Sequence, residues 1–172
     1  KHRRTVEHSG AREDVQLVPL ENPLQTSAFD YARTYSEKSP KFSRAMAVIT
    51  GDVVTTWISG TASIVDAKTV HEGDAARQTE QTIDNIENLI SWDNFARHGV
   101  KHAGARLADL AKVRVYVKRA EDYEACREVC ERRFGRIPAI YAIADVCRSD
   151  LLVEIEGVAF SRVSQESGKL SG

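Results

Sequence analysis

The sequence is short of several things, and each shortage narrows what the chain can be. Its 24 basic and 25 acidic side chains leave a formal net charge of −1, so it lacks the overall positive field that a nucleic-acid partner calls for. The basic clusters it does have, at residues 1–4 and 127–136, read as a polar tail and as a solvated helix face interleaved with Glu. Only three cysteines are present, Cys126, Cys130 and Cys147. That count argues against a disulfide framework and suits a reducing, cytoplasmic setting. Cys126 and Cys130 stand one helical turn apart with no second Cys/His pair at metal spacing, so they read as core residues; neither metal nor cofactor is expected. No apolar run approaches the roughly 20 residues of a membrane span, so no membrane partner is expected. No secretory signal opens the chain, and its first residue is Lys, which reads as a trimmed chain. Internal repeats and low-complexity stretches are also lacking.

What is present is enough for one domain with a real core: 172 residues of ordinary globular composition. Residues 1–13 and 164–172 are polar and read as flexible tails around a single domain at 14–163. Residues 15–20 suit a first strand, and residues 24–43 a long connection. Residues 45–50 and 53–59 are β-rich runs joined by Gly51-Asp52, a hairpin pattern. Gly60-Thr61-Ala62-Ser63 follows, where small side chains let a ligand or another backbone approach. Asp74 suits a helix N-cap, and Ala76, Thr79, Ile83, Ile86 and Ile90 recur at helical spacing. Residues 99–105 read as a loop. Residues 110–118 read as a strand with Val113, Val115 and Val117 on one face and Arg114 and Tyr116 on the other. Residues 120–134 suit a second helix stopped by Gly135. Pro138 opens a final pair of strands. The order β, ββ, α, β, α, β, β points to an α+β fold: a mixed β-sheet with two helices packed on one face. Nothing is left to cover the other face, where Trp57 and Tyr116 point, so another subunit should.

The final strand pair, residues 137–163, carries Glu154 and Glu156 among Leu, Val, Ile and Phe. A carboxylate on a half-buried strand must be paired, hydrogen-bonded or protonated. Glu154 is thus either a general acid of raised pKa or a structural partner of Arg148 or Arg114; Glu156 reads as structural. Cys147 is a nucleophile, if Arg148 lowers its pKa, or a small buried residue at a strand end. Arg148 is a bidentate carboxylate binder or a turn residue. Tyr141 shares strand parity with Cys147 and lines a cleft or belongs to the core. Gly60 and Thr61 offer backbone N–H groups and a hydroxyl to a ligand. His71 reads as a surface loop residue, and His98 and His102 flank a loop without metal-like company.

Ile58-Ser59-Gly60-Thr61-Ala62, the helix at 78–85, the strand at 113–117 and the ending Val153-Glu154-Ile155-Glu156-Gly157-Val158-Ala159 resemble the Rid (YjgF) superfamily, formerly named endoribonuclease L-PSP or translation initiation inhibitor. The resemblance implies the same α+β layer, assembled as a homotrimer with ligand clefts between subunits. Deaminating members carry Pro-Ala-Arg where this chain has Pro138-Ala139-Ile140, so the guanidinium that grips their substrate is missing.

A further resemblance is to the chorismatases. It is carried by Leu20-Glu21-Asn22-Pro23, by Ser39-Pro40-Lys41-Phe42-Ser43-Arg44-Ala45, and by Ser59-Gly60-Thr61-Ala62-Ser63-Ile64. His71-Glu72-Gly73-Asp74 and Asp145-Val146-Cys147-Arg148 belong to it too. In that family a Glu at the position of Glu154 protonates the enolpyruvyl group, and a Cys at the position of Cys147 marks the branch that forms 3-hydroxybenzoate. Chorismatases carry a further N-terminal domain outside the resemblance, so it implies a site that is completed by another chain or is incomplete. The implied function is hydrolysis of an enol-ether or enamine-type carboxylated metabolite by acid catalysis from Glu154. The alternatives are a non-catalytic ligand-binding homotrimer and the ribonuclease of the old family name.

Overall fold

The computed structural model describes residues 2–8, 11–27 and 42–164, with residues 2–8 and 11–14 as backbone alone. Strands β1 (His2–His8), β2 (Ala11–Leu20), β3 (Ala45–Thr50) and β4 (Val53–Ala62) form an antiparallel meander. Two short strands, β5 (Ile64–Val65) and β6 (Lys68–Thr69), lead into helix α1 (Ala75–Ile90) and the one-turn helix α2 (Trp92–Arg97). Strand β7 (Leu110–Val117), helix α3 (Tyr123–Phe134) and strand β8 (Ala139–Ile143) follow, and β9 (Val153–Arg162) ends the fold. The main sheet has the order β1-β2-β3-β4-β9-β7-β8.

Local chemistry sets the element ends. Gly51 has φ +59°, the left-handed geometry that a two-residue hairpin turn demands, and Thr50 and Val53 pair across it. The Asp74 side chain accepts from Arg77 N at 3.0 Å and caps α1, as its position before the apolar stripe predicted. Ser91 closes α1 and caps α2, its hydroxyl accepting from Asn94 N at 3.2 Å. α3 stops at Gly135, whose φ of +70° few other residues tolerate.

Both long helices lie on one face of the sheet, α1 over β4 and β9, α3 over β7. Ile83, Ile86, Leu89 and Ile90 of α1 and Cys126, Val129, Cys130 and Phe134 of α3 meet Val54, Ile58, Val113, Val115, Val117, Val153 and Ile155 in the core. Across the helix surface Arg133 reaches Asp84 at 2.8 Å and also pairs with Glu80, whose carboxyl Arg132 holds as well. These guanidinium ions hold Glu80 below the usual carboxylate range against the upward push of its burial. No helix among the described residues is long and apolar enough to cross a membrane.

Three expectations from sequence need correction. The last two strands do not pair with each other. β8 runs parallel to β7, and β9 inserts between β4 and β7, antiparallel to both. The connection through α3 returns the chain alongside β7, as a helical crossover does. Residues 144–152 then carry it across β7 to a central slot. The strand expected at 53–59 runs on to Ala62 through a register shift between Ile58 and Thr61. Residues 2–8 and 11–13, read as tail, contribute β1 and the start of β2. Most of the long connection at 24–43 and the C-terminal tail beyond Ser164 lie outside the described residues.

The other sheet face carries no helix among the described residues. Trp57 is 55% exposed there, Phe160 52% and Ile140 61%. The helix side holds its own irregular segments through buried amides. Asn85, fully buried on α1, donates from Nδ2 to the carbonyls of Ala62 and Ile64, each at 2.9 Å. Removing it leaves two buried carbonyls without that donor. The Ile64 carbonyl keeps a second donor, Gln25 Nε2 at 3.0 Å, so Asn85→Ala should lower the unfolding free energy by about 1–3 kcal/mol, the cost of one unsatisfied buried group, read as a lower urea midpoint at unchanged m-value.

Candidate functional site

Glu154 lies near the start of β9, opposite Ala62 of β4 and Tyr116 of β7. Alternation along β9 sends Val153 and Ile155 to the core and Glu154 and Glu156 to the open face. The two carboxylates have different surroundings. Glu156 accepts from the Tyr116 hydroxyl at 3.1 Å and pairs with Arg114 at 2.5 Å. Glu154 receives neither: among the described residues no cation or donor meets its carboxyl. Burial pushes its pKa up, and the nearby charge of Glu156 pushes it further.

The backbone of Gly60 closes the space beside Glu154. A Cβ at position 60 would stand 2.1 Å from Glu154 Oε1. Any side chain there would displace the carboxyl, so the glycine serves a close approach. Thr61, just past the register shift, turns inward and is nearly fully buried; its hydroxyl donates to the Ser59 carbonyl at 3.0 Å. The hydroxyl that the sequence offered to a ligand is thus spent inside the protein.

Cys147 and Arg148 stand on the 144–152 connection, just ahead of β9. A small apolar cluster of Ala62, Ile64, Val146 and Leu151 welds this connection to the end of β4 and to β5. Arg148 Nη1 donates to the Ala67 carbonyl at 2.9 Å in the β5–β6 turn. Lys118 donates from Nζ to the carbonyls of Arg148 and Ser149 at 3.1 and 3.2 Å and pairs with Asp145 at 3.3 Å. The Cys147 residue is exposed at the surface, but partial burial of its sulfur pushes the thiol pKa up. The charge of Glu154 adds to that rise, while Arg148 and Arg44 oppose it. Cys147 therefore lies within reach of the charges of Glu154, Arg148 and Arg44. The direction for Cys147 is opposite to the lowering that a thiolate nucleophile needs.

Tyr141 belongs elsewhere. It pairs with Val115 across β7 and so faces the helices, not Glu154. Its ring meets Tyr123 edge-on at 5.5 Å, and its hydroxyl contacts the Cys130 thiol, whose pKa burial raises to about 12. Ile140, its neighbour, is on the open face opposite Arg114. His71 is an exposed loop residue, as read from sequence. His98 is a clasp: Nε2 accepts from Glu21 N at 3.0 Å, and Nδ1 lies 2.8 Å from the Asn94 carbonyl.

One residue near the site was not singled out from sequence. Arg44, 4% exposed, enters β3 with its guanidinium 5.2 Å from the Phe42 ring centroid, and Nη2 donates to the Thr26 carbonyl at 3.2 Å. An arginine abutting the apolar run that begins at Ala45 was the available signal, since a cation there is seldom buried without a partner set.

The chain matches the family model described as Endoribonuclease L-PSP over residues 36–161. It is 43% identical over 149 residues to a 3-hydroxybenzoate synthase of Streptomyces hygroscopicus, an alignment covering 82% of this chain and 43% of the relative. It is 40% identical over 144 residues to a chorismatase of Streptomyces rapamycinicus, with the same two coverages. The chain thus spans less than half the length of these curated relatives. A RutC family protein of Pyrococcus abyssi is 31% identical over 134 residues, which cover 73% of this chain and 94% of that protein. Among solved structures, a crystalline chorismatase superposes with a TM-score of 0.79 at 38% identity, over 84% of this chain and 44% of that one. With the helix-backed mixed sheet, these matches place the chain in the endoribonuclease L-PSP family, the Rid superfamily, among relatives that include chorismatases.

Proposed function

We propose that this chain carries a chorismatase-type site acting on an enolpyruvyl ether, with Glu154 as the general acid. The observation that supports this most is the division of labour between two carboxyls on one strand face. Glu156 is neutralised by Arg114, while Glu154 meets no cation among the described residues, is held against the Gly60 backbone and has its pKa raised. Glu154 gives its proton to the terminal methylene carbon of the enol ether. Water adds to the resulting oxocarbenium carbon, and the hemiketal collapses to pyruvate and an alcohol. Arg148 and Arg44 supply positive charge for the substrate carboxylates. Cys147, mostly protonated at neutral pH, lines the site as a thiol.

The relatives named chorismatase and 3-hydroxybenzoate synthase support the choice of substrate class. Ile140, exposed where deaminating members are expected to have arginine, counsels against an imine or enamine substrate. The net charge of −1 gives no support to RNA as a substrate. The reading is tested by incubating the protein with chorismate and following pyruvate release. Glu154→Gln should lower kcat by about 10²- to 10⁴-fold, the usual worth of a positioned acid. A wild-type protein that binds chorismate without releasing pyruvate would instead mark a binding protein.

The same carboxyl has a thermodynamic signature. Its pKa is raised by folding, so the folded state holds this proton more tightly than the unfolded chain does. The linked stability is fully present below the ordinary glutamate value of about 4.3 and is lost as pH rises through the folded-state pKa. Glu154→Gln removes the charge that must be desolvated. Its melting temperature should exceed that of the wild type at pH 7–8, and the gain should vanish near pH 4.

The open sheet face, with Trp57, Phe160 and Ile140 exposed, supports assembly into a homo-oligomer, the trimer expected from the superfamily resemblance, with clefts at the subunit boundary. Trp57→Glu places a charge at the middle of that face. In sedimentation velocity it should run as monomer, where the wild type runs as the oligomer.

A further inference from the structure

Gln78 is a polar residue in an apolar place. It sits on the inner face of α1 and is fully buried. A carboxamide there costs stability unless both of its ends are used. Both are. Nε2 donates to the Asp150 carbonyl at 2.9 Å and to the His71 carbonyl at 3.3 Å, and Oε1 accepts from Leu152 N at 2.8 Å. Within its own helix Gln78 is anchored as well, its backbone N donating to the Asp74 carbonyl at 2.9 Å.

The partners are what matter. Asp150 lies two residues beyond Arg148, and Leu152 lies two residues before Glu154. One side chain thereby grips the segment that joins the thiol and the guanidinium to the carboxyl. Lys118 holds the same segment from β7, through the Arg148 and Ser149 carbonyls, and Lys118 N donates to the Leu152 carbonyl at 2.8 Å. Among the described residues only the α1 contact, however, spans the stretch from Asp150 to Leu152 and ties it to the β6–α1 connection at His71. A donor and an acceptor are needed together, at the end of a side chain this long. Glutamine supplies both; methionine has the length without the polarity, and glutamate has the acceptor without the donor.

We propose that Gln78 is the positioning residue of the site, a bracket that fixes where the Cys147–Arg148 loop stands relative to Glu154. The inference rests on the acid-catalysis reading for its effect on turnover, but its structural content does not. Without the bracket the loop relaxes outward, and the Cys147 sulfur gains water and loses the company of Glu154. Both changes ease ionisation of the thiol; distance from Arg44, the smallest of the influences on it, opposes them weakly.

The test uses Gln78→Met, with Leu89→Ala as a core variant whose side chain is buried in the same helix but far along it from the loop. Iodoacetamide alkylation is followed against pH on each protein, Cys126 and Cys130 being buried and Cys147 exposed. Gln78→Met should alkylate about 3- to 10-fold faster near pH 8, with its pH profile moved to lower pH, as a better-solvated thiol requires. Leu89→Ala, although less stable, should keep the wild-type profile. Gln78→Glu, which retains an acceptor for Leu152 N, should fall between and serves if the methionine variant does not fold. On chorismate, kcat/KM of Gln78→Met should fall about 10- to 100-fold, the cost of a misplaced catalytic group. An unshifted thiol profile in both Gln78 variants, or an equal shift in Leu89→Ala, overturns the bracket. A wild type without turnover overturns the acid-catalysis reading instead and leaves the thiol comparison decisive for Gln78.

Discussion

A carboxyl on the central strand of this sheet has water on one side only. Glu154 and Glu156 lie on β9, which is flanked by β4 and β7, so neither can leave the sheet surface for solvent. Each must be stabilised where it stands or hold its proton. The sheet answers in two ways within three residues. Arg114 and Tyr116 on β7 serve Glu156, and the uncharged end of β4 faces Glu154. The different surroundings of the two carboxyls follow from which neighbour strand each leans toward. Glu156 in turn raises Glu154, so the structural carboxylate helps to keep its neighbour protonated.

That arrangement depends on irregular backbone. The register shift between Ile58 and Thr61 brings Gly60 over the Glu154 carboxyl and turns Thr61 into the core. A regular β4 would have presented a side chain there. Irregular backbone exposes peptide groups that need partners, and α1 provides them from its buried face. Asn85 satisfies the carbonyls after the shift, and Gln78 those around the 144–152 connection. The helix that packs the core also carries the polar side chains that hold the site's loops. This accounts for Gln78 and Asn85 standing with Ile83 and Ile86 on a face that packing alone would have made wholly apolar; the buried hydroxyls of Thr79 and Thr82 instead donate to carbonyls one turn back in their own helix.

Much of the architecture was legible because its causes are local. The α1 stripe, the Asp74 cap, the Gly51-Asp52 hairpin and the Gly135 stop are each decided by residues within one or two turns of one another. Glu154 was legible for a similar reason: an ionisable group among Val, Ile and Phe violates the strand pattern by itself. The failures are all nonlocal. Strand partners at the C-terminal end are set by the α3 crossover, which makes β8 follow β7 and frees β9 for the centre. Counting parity from Tyr141 to Cys147 fails because the chain between them is not a strand, so Tyr141 ends on the helix side with Cys130. Thr61 is misassigned by one inserted residue, the usual consequence of a slip in a period of two. The apolar run at Ala45 hints at Arg44, but how deeply it is buried is set by distant contacts such as the Thr26 carbonyl.

The exposed apolar face and the acid site draw on one geometric fact. Both occupy the side of the sheet that carries no helix among the described residues. Trp57 stands opposite Val158 on β9, two positions along that strand face from Glu156 and four from Glu154. Any surface that covers Trp57 and Phe160 also removes water from the neighbourhood of the two glutamates. Lower local polarity would strengthen the Arg114–Glu156 pair and further disfavour the ionised form of Glu154. The proposed assembly and the proposed acid would therefore be coupled through the same β9 face: the carboxyl that is already reluctant to ionise in the single chain would become more so if the face were closed.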